Sequence, residues 1–301
     1  LIRALVIATF VSVVGSVEAQ APGEAVTVVD PIDIPPEHDP LAHAWDLPNQ
    51  RGGFYLRGFT SLGGANTRVG AASFEAGNGY TTGGWLEYAK LIQDAGADAL
   101  ELNVFSLGTN PQESGAQMEL RTVQMVQAVR KAVRIPVAVK LSPYYTSLAH
   151  FATKLDEAGA DGLVLFNRFY QPDIDVEELQ VRRQIHLSSS AELPLRLVWL
   201  AMLSPKVKAS LACTGGVHTV TDVVQSVMAG AHAIQLVSSL LKRGPSHIAT
   251  LRQELAQWLE DHEYHSLRQA QGSMNLEACP DPQVYSRANY MLVLQSWRDS
   301  H

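Results

Sequence analysis

Two short motifs late in the chain have the residue types that bind a phosphate group. In Thr214-Gly215-Gly216, the absence of side chains on glycine allows backbone N–H groups to approach an anion closely. Thr219 and Asp222 form a capping-box pattern, which predicts a helix start whose dipole favours negative charge. Ser238 and Ser239 supply hydroxyls further along. A lone Gly-Gly is more often an ordinary tight turn, and the pairing with the serines is what favours a phosphate site.

Three polar residues lie at the ends of apolar strands. Lys140 ends one strand, where burial of an unpaired ammonium is costly, so we expect an anionic or electron-rich partner such as a cofactor ring. A lysine snorkelling to solvent is the alternative. Asn103 and Asn167 follow two other strands at matching positions. Their amides predict substrate or cofactor contacts, the alternative being that each satisfies a loop backbone.

Ser106 is a candidate general base. It lies three residues after Asn103 in a glycine-bearing loop, and its hydroxyl needs activation by a neighbour or a water chain. Serine in such a loop is commonly a turn residue.

The two cysteines indicate no metal site. Cys213 and Cys279 have no metal-ligand spacing and no iron–sulfur pattern. One disulfide between them is allowed but not required.

A recurring phrase predicts the elements that position these residues. Segments 95–102, 158–165 and 229–236 each combine a helix end, a glycine turn and an apolar strand. Segments 136–141 and 207–212 predict two more strands. Strands that alternate with helices favour right-handed βαβ repetition. At 301 residues the predicted fold is an α/β (β/α)₈ TIM barrel, with a doubly wound open sheet as the alternative.

The bulk properties indicate small-molecule partners. A net charge of −7 with 18% charged residues argues against a nucleic-acid or anionic-membrane surface.

The first residues of the sequence resemble a signal peptide. Arg3 and the apolar run 4–17 carry this likeness over residues 1–19, and a first buried strand plus helix is the other interpretation. The run is short for a bilayer span. We therefore expect no integral membrane segment and a cytoplasmic protein, or an exported one if the signal is genuine.

Several strings resemble the dihydroorotate dehydrogenase family in order and spacing. They are Glu101-Leu102-Asn103, Val139-Lys140-Leu141-Ser142-Pro143, Leu165-Phe166-Asn167, Thr214-Gly215-Gly216-Val217, and Leu236-Val237-Ser238-Ser239 with Gly244-Pro245. The likeness is greatest to bacterial dihydroorotate dehydrogenase-like proteins. It is carried by Asn78-Gly79 with Gly83-Gly84-Trp85, by the run 166–175, and by Arg287-Ala288-Asn289-Tyr290-Met291.

The resemblance implies an FMN-binding barrel that oxidises dihydroorotate to orotate in de novo pyrimidine (UMP) biosynthesis, by hydride transfer to flavin N5. Lys140 would lie at the flavin N1/C2 edge and act in catalysis, and Ser106 occupies the position of the base that removes the substrate C5 proton. The resemblance further implies that the phosphate is bound by Thr214, Gly215, Gly216, Ser238 and Ser239. It implies that the substrate is bound by Asn78 and Asn103, and that Asn167 contacts both substrate and flavin.

The resemblance covers residues 78 to 297 and leaves the first part of the chain apart. We therefore divide the chain into an atypical, signal-like segment 1–77 and an FMN-binding domain 78–301. With no cysteine cluster for electron transfer, an external acceptor such as fumarate or a quinone is expected, and a homodimer is allowed. The alternatives are a related flavoenzyme acting on another dihydropyrimidine and a non-catalytic degenerate FMN- or phosphate-binding barrel.

Overall fold

A computed structural model gives the fold of this chain. It describes residues 6–9, 52–61, 66–74, 82–94, 97–104, 108–168, 171–182 and 185–286. Two residues predicted from the sequence to act at the site, Asn78 and Ser106, lie outside these ranges, as does the string 287–291. None of the helices within the ranges is both long and apolar enough to cross a bilayer.

The strands of the described residues close into a barrel. In chain order they are β1 Val6–Thr9, β2 Gly52–Ser61, β3 Asn66–Phe74, β4 Ala99–Asn103, β5 Val137–Leu141, β6 Gly162–Leu165, β7 Asp173–Asp175, β8 Gln180–Arg182, β9 Ser210–Thr214 and β10 Ala233–Leu236. Neighbours around the barrel follow the order β1-β10-β9-β6-β5-β4-β3-β2. All these pairs are parallel except those of β2, which is antiparallel to β1 and β3. The predicted TIM barrel is confirmed, and the antiparallel β2 is its atypical N-terminal feature.

Helices alternate with most of the strands and bury apolar side chains. They are α1 Thr82–Asp94, α2 Gly115–Ala132, α3 Leu148–Glu157, α4 Leu193–Leu203, α5 Val220–Ala229, α6 Ser238–Arg243, α7 His247–Asp261, α8 Leu267–Ala270 and α9 Gln283–Ser286, with a 3₁₀ turn at Ser190–Glu192 before α4. Phe151 and Leu155 of α3 are fully buried in the hydrophobic core. The capping box of Thr219 and Asp222 starts α5, as predicted.

The recurring glycines end helices in the way the sequence indicates. Gly159 and Gly230 have φ angles of +94° and +120°, which L side chains rarely adopt. A Cβ atom on Gly230 would collide with the Ser204 side chain, so there is no room for a side chain at this turn. The strands that follow, β6 and β10, are almost wholly buried, and this burial on both faces suits a parallel sheet covered by helices.

The hairpin of β7 and β8 stands outside the barrel and exposes apolar side chains. Ile174 pairs with Val181 across it, and these two are 71% and 64% exposed. The opposite face is polar: buried Asp175 accepts a hydrogen bond from Arg182 Nε at 2.7 Å. An isolated two-stranded hairpin is marginally stable in water, so its exposed apolar face suggests a further contact.

Two other features predicted from the sequence have structural outcomes. Val6–Thr9 of the signal-like stretch forms β1, which pairs with β10. Cys213 and Cys279 are both free, buried thiols, so the disulfide that the sequence allowed is not formed. Burial raises the pKa of the Cys213 thiol to about 11, and a thiol in this state is a poor nucleophile.

Candidate functional site

The two predicted phosphate loops lie side by side. Thr214 ends β9 and Ser238 follows β10, and these strands are parallel neighbours with Thr214 opposite Gln235. The carboxyl ends of parallel strands face one end of a barrel, where TIM-barrel enzymes have their active sites. The sequence-based pairing of the two loops is therefore supported by the sheet order.

The turn after Thr214 has a backbone that only glycine suits. Gly215 and Gly216 have φ angles of +82° and +85°. A Cβ atom on Gly216 would lie 2.6 Å from the backbone nitrogen of Leu193, and one on Gly215 would lie 3.0 Å from the Arg196 guanidinium. Real Cβ contacts are longer than the first of these distances. The two glycines therefore allow the turn to pack against the start of α4.

Arg196 was not singled out from the sequence, yet it clamps this turn. Its Nε donates to the Thr214 carbonyl at 3.0 Å and its Nη1 to the Glu192 carbonyl at 2.7 Å. Burial lowers the pKa of this guanidinium. Glu192 also pairs with Arg168 at 2.9 Å, which ties the loop that carries Asn167 to the same cluster. A single arginine within the apolar helix LPLRLVWLAML was the available sequence signal.

Ser188 joins the two phosphate loops, and it too was not predicted from the sequence as a site residue. Its backbone N–H donates to Ser238 Oγ at 3.0 Å, and its Oγ accepts from the Gly216 N–H at 3.5 Å. Lys242 Nζ donates to its carbonyl at 2.8 Å. In the sequence the run Ser188-Ser189-Ser190 is typical of any polar loop, so only the tertiary contacts reveal its position.

His218 contacts Ser188 next to the phosphate loops. Its Nε2 is 3.1 Å from Ser188 Oγ, and burial, followed by the nearby Lys242 charge, lowers its pKa. The buried Asp222 carboxylate accepts from the backbone N–H groups of His218 and Thr219, each at 2.9 Å. Ser190 Oγ donates to the same carboxylate oxygen at 2.7 Å. The α5 start is thus fixed by side chains from two segments.

One hydroxyl beside these loops has an unmet hydrogen-bonding requirement. Ser239 is almost fully buried, and within the described residues its Oγ has no hydrogen-bond partner. Buried polar atoms are nearly always paired in proteins. Together with the glycine turn and the adjacent Ser238, this orphaned hydroxyl fits a phosphate group. Within the described ranges, no group of three His, Cys, Asp or Glu side chains is placed to hold a metal ion.

Lys140 has an anionic partner within the chain. Its Nζ lies 3.4 Å from Glu101 Oε1 and 3.4 Å from Gln235 Oε1. Glu101 is buried and accepts a hydrogen bond from Gln235 Nε2 at 2.7 Å. The sequence predicted that Lys140 needs such a partner but did not identify this carboxylate. The side chain is thus fixed inside the barrel and is not a lysine that snorkels to solvent.

Asn103 and Asn167 are in contact with each other. Asn167 Nδ2 donates to Asn103 Oδ1. Asn103 is the register partner of Lys140 across β4 and β5, and the Asn167 N–H donates to the Leu141 carbonyl at 2.7 Å. The two amides and the ammonium therefore occupy one end of the barrel. The structure brings these three predicted residues together, whereas Asn78 and Ser106 fall outside the described ranges.

Comparison with known proteins identifies relatives of the chain. Residues 70–259 match the family model for dihydroorotate dehydrogenase. A protein of Aeropyrum pernix named "Putative dihydroorotate dehydrogenase A (fumarate)" is 30% identical over 202 residues, which are 64% of each chain. The "Dihydroorotate dehydrogenase B (NAD(+)), catalytic subunit" of Pelobacter propionicus is 34% identical over 160 residues, covering 52% of this chain and 49% of that protein.

A solved structure shares the fold. The ligand-free dihydroorotate dehydrogenase of Eimeria tenella aligns with a TM-score of 0.53 at 18% identity, over 66% of this chain and 61% of that one. The chain thus spans less than two thirds of these first relatives' lengths. The family model nevertheless covers more than half of the 301 residues. This chain belongs to the dihydroorotate dehydrogenase family.

Proposed function

We propose that this chain is an FMN-dependent oxidoreductase that oxidises dihydroorotate to orotate in pyrimidine (UMP) biosynthesis. The observation that carries the proposal is the position of two groups at the carboxyl ends of strands in a barrel of this family. One is the phosphate cluster on β9 and β10, bridged by Ser188. The other is the cluster of Lys140, Asn103 and Asn167 on β4, β5 and β6.

The chain's own residues suit an FMN molecule at this end. Backbone N–H groups of the turn 214–216 and the hydroxyls of Ser238 and Ser239 would hold the phosphate, since glycine turns and helix starts bind anions. The flavin ring would supply the chemistry, by accepting a hydride at N5. Lys140 would lie at its N1/C2 edge and favour negative charge there, and Asn167 would contact both ring and substrate.

Substrate binding is assigned to amides and proton removal to a hydroxyl. Asn78, Asn103 and Asn167 would orient a dihydropyrimidine carboxylate, because amides both donate and accept hydrogen bonds without a change of charge. Ser106 would remove the C5 proton as general base. The contact between Asn167 and Asn103 supports a shared role, since it fixes how the two side chains are oriented.

The electron acceptor is proposed to be external and small. Fumarate or a quinone fits a chain whose two cysteines are far apart in the sequence and form no cluster. The relatives carry the words "fumarate" and "NAD(+)" in their names, so assays with each acceptor separate these cases. We place the protein in the cytoplasm as part of the same proposal.

We also propose a homodimer in which the β7–β8 hairpin forms part of the contact. Its apolar face, defined by Ile174 and Val181, is largely exposed among the described residues, and the neighbouring Val176 and Leu179 are 71% and 87% exposed. A two-fold axis places one patch against its own copy, so an apolar face meets an apolar face.

The division of the chain into segments 1–77 and 78–301 also remains part of the proposal. All the proposed site residues lie in the second segment, while strands β1 to β3 of the first segment also belong to the barrel.

Purification of the protein and anaerobic titration with dihydroorotate test the proposed function. We expect a yellow protein with one FMN per chain whose flavin absorbance bleaches on addition of dihydroorotate. If only another dihydropyrimidine reduces the flavin, that compound is the substrate in place of dihydroorotate, and the class of reaction stays as proposed. A colourless protein that does not bind added FMN would support the degenerate barrel and contradict the proposal.

A further inference from the structure

Glu101 is a buried carboxylate to which the proposed function gives no role. Its side chain is 4% exposed and that of Lys140 is 14% exposed. A carboxylate removed from water needs a cation or strong donors to be tolerated. Glu101 has both, because one oxygen faces Lys140 Nζ at 3.4 Å and the other accepts from Gln235 Nε2 at 2.7 Å.

Glu101, Lys140 and Gln235 form a closed ring inside the barrel. The third side of the ring is the 3.4 Å contact of Gln235 Oε1 with Lys140 Nζ. Glu101 and Lys140 lie on neighbouring strands, whereas β6 and β9 separate β10 from β5 in the sheet. Gln235 therefore reaches across the interior, and the Lys140 ammonium is held from two directions.

We propose that Glu101 is a positioning residue that fixes the Lys140 ammonium and sets the net charge that the barrel presents to a bound flavin. This inference rests on the proposed function. With the carboxylate in place, the pair is neutral overall and its field is that of a dipole. Without it, the positive charge of Lys140 is no longer balanced by Glu101 and acts more strongly on the ring. A unit charge a few ångströms away changes an equilibrium by about tenfold or more at protein-like dielectric constants.

Two substitutions separate charge from shape. Glu101→Gln removes the negative charge and keeps the size of the side chain. Gln235→Leu leaves the Glu101–Lys140 ion pair and removes the hydrogen bonds from β10. Glu254→Gln is the matched control, because Glu254 is an exposed carboxylate on α7 outside the ring.

The measurement is the reduction midpoint of bound FMN, read by equilibration with a reference dye, together with the Kd for FMN from its fluorescence. Reduction adds negative charge to the ring, so Glu101→Gln should favour the reduced form. At a fixed dye ratio, we expect the ratio of reduced to oxidised flavin to rise about tenfold. Gln235→Leu should change this ratio less than threefold, and Glu254→Gln should leave it unaltered.

Each outcome has a definite meaning. A wild-type chain that binds no FMN removes the proposed function and this inference with it. If the wild type binds FMN but Glu101→Gln leaves the midpoint unaltered, or Gln235→Leu shifts it as far, Glu101 has a structural role only.

A double variant covers the case in which Glu101→Gln alone fails to fold. Lys140→Met/Glu101→Gln should then keep the ratio of reduced to oxidised flavin within about threefold of the wild type, because removal of both charges also leaves the pair neutral. A tenfold fall in this ratio would show that Glu101 does not offset the charge of Lys140 at the ring, and the assignment would be wrong.

Discussion

A Cβ atom on Gly216 would lie 2.6 Å from the backbone nitrogen of Leu193. The turn that ends β9 is therefore packed against the start of α4 with no room for a side chain. Since Gly216 also has a φ angle of +85°, two separate requirements select glycine here. A single substitution tests both.

Gly216→Ala should destabilise the protein by about 3 kcal/mol, from the positive φ and from the clash together. Gly244→Ala is the control for backbone strain, because Gly244 also has a positive φ, +83°, and a Cβ atom there would meet no other atom within 4 Å. It should cost about 1–2 kcal/mol, from the backbone strain alone. Urea unfolding measures both, and FMN titration should show loss of binding for Gly216→Ala alone. Equal destabilisation of the two variants would remove the packing argument.

Arg196→Met should weaken both folding and FMN binding. The substitution removes the donor to the Thr214 carbonyl and leaves the Glu192 carbonyl without its partner at 2.7 Å. Loss of such buried, charge-assisted hydrogen bonds costs about 3 kcal/mol. Arg252→Met, at an exposed position on α7, should cost less than about 0.5 kcal/mol. Thermal unfolding with and without FMN gives both quantities, and an Arg196 variant as stable as the Arg252 variant would contradict the clamp.

Desolvation of two histidines, buried His218 and partly exposed His232, should make stability fall on mild acidification. Burial lowers the pKa values of His218 and His232 from 6.5. Below about pH 6.5 the unfolded chain takes up protons that the folded chain does not. The stabilisation is therefore complete above the ordinary histidine pKa and is lost as the pH falls towards the lowered values.

His218→Gln tests this pH dependence and retains a group able to bond Ser188. The free energy of unfolding, measured in urea at several pH values between 5 and 8, should fall less steeply for this variant than for the wild type. His265→Gln, at an exposed site, serves as the control and should keep the wild-type slope. An unchanged slope in His218→Gln would show that this residue does not contribute.

Cys213 should resist thiol reagents as long as the barrel is folded. With its pKa raised to about 11 by burial, about one Cys213 side chain in a thousand is ionised at pH 8, and the thiolate is the reactive form. A Cys279→Ser background isolates it. We expect reaction with a colorimetric disulfide reagent to be at least about a hundredfold slower in buffer than in denaturant. Complete labelling of the folded protein within minutes would mean that β9 is open to solvent.

Replacement of Ile174 and Val181 by serine should dissociate the proposed dimer. The two side chains pair across the hairpin and are exposed in the single chain, so the change removes apolar contact area without loss of core packing. Light scattering coupled to gel filtration should show the mass of one chain for this variant and twice that for the wild type. Leu120→Ser removes a side chain that is 56% exposed on α2 and should leave the mass as in the wild type. A monomeric wild type would contradict the homodimer.

Local patterns in the sequence were sufficient for most of the elements. The predicted strand 136–141 appears as β5, one residue shorter, and the strand predicted at the end of segment 158–165 appears as β6. The capping box at Thr219 starts α5 where expected. These features depend on neighbouring residues, since turn chemistry, capping and apolar periodicity act over a few positions. The same reasoning placed Asn103, Lys140 and Asn167 at strand ends.

The tertiary structure alone decided which side chains meet. Glu101 and Gln235 are 134 positions apart, and Ser188 is 50 from Ser238. Arg196 reaches the Thr214 carbonyl from a different helix. Such partners depend on the closure of the sheet, which brings strands from distant parts of the chain around one interior, and no local pattern encodes that closure. The sequence by itself determined the strands, the glycine turn after Thr214 and the need of Lys140 for an anion, while the barrel decided that this anion is Glu101.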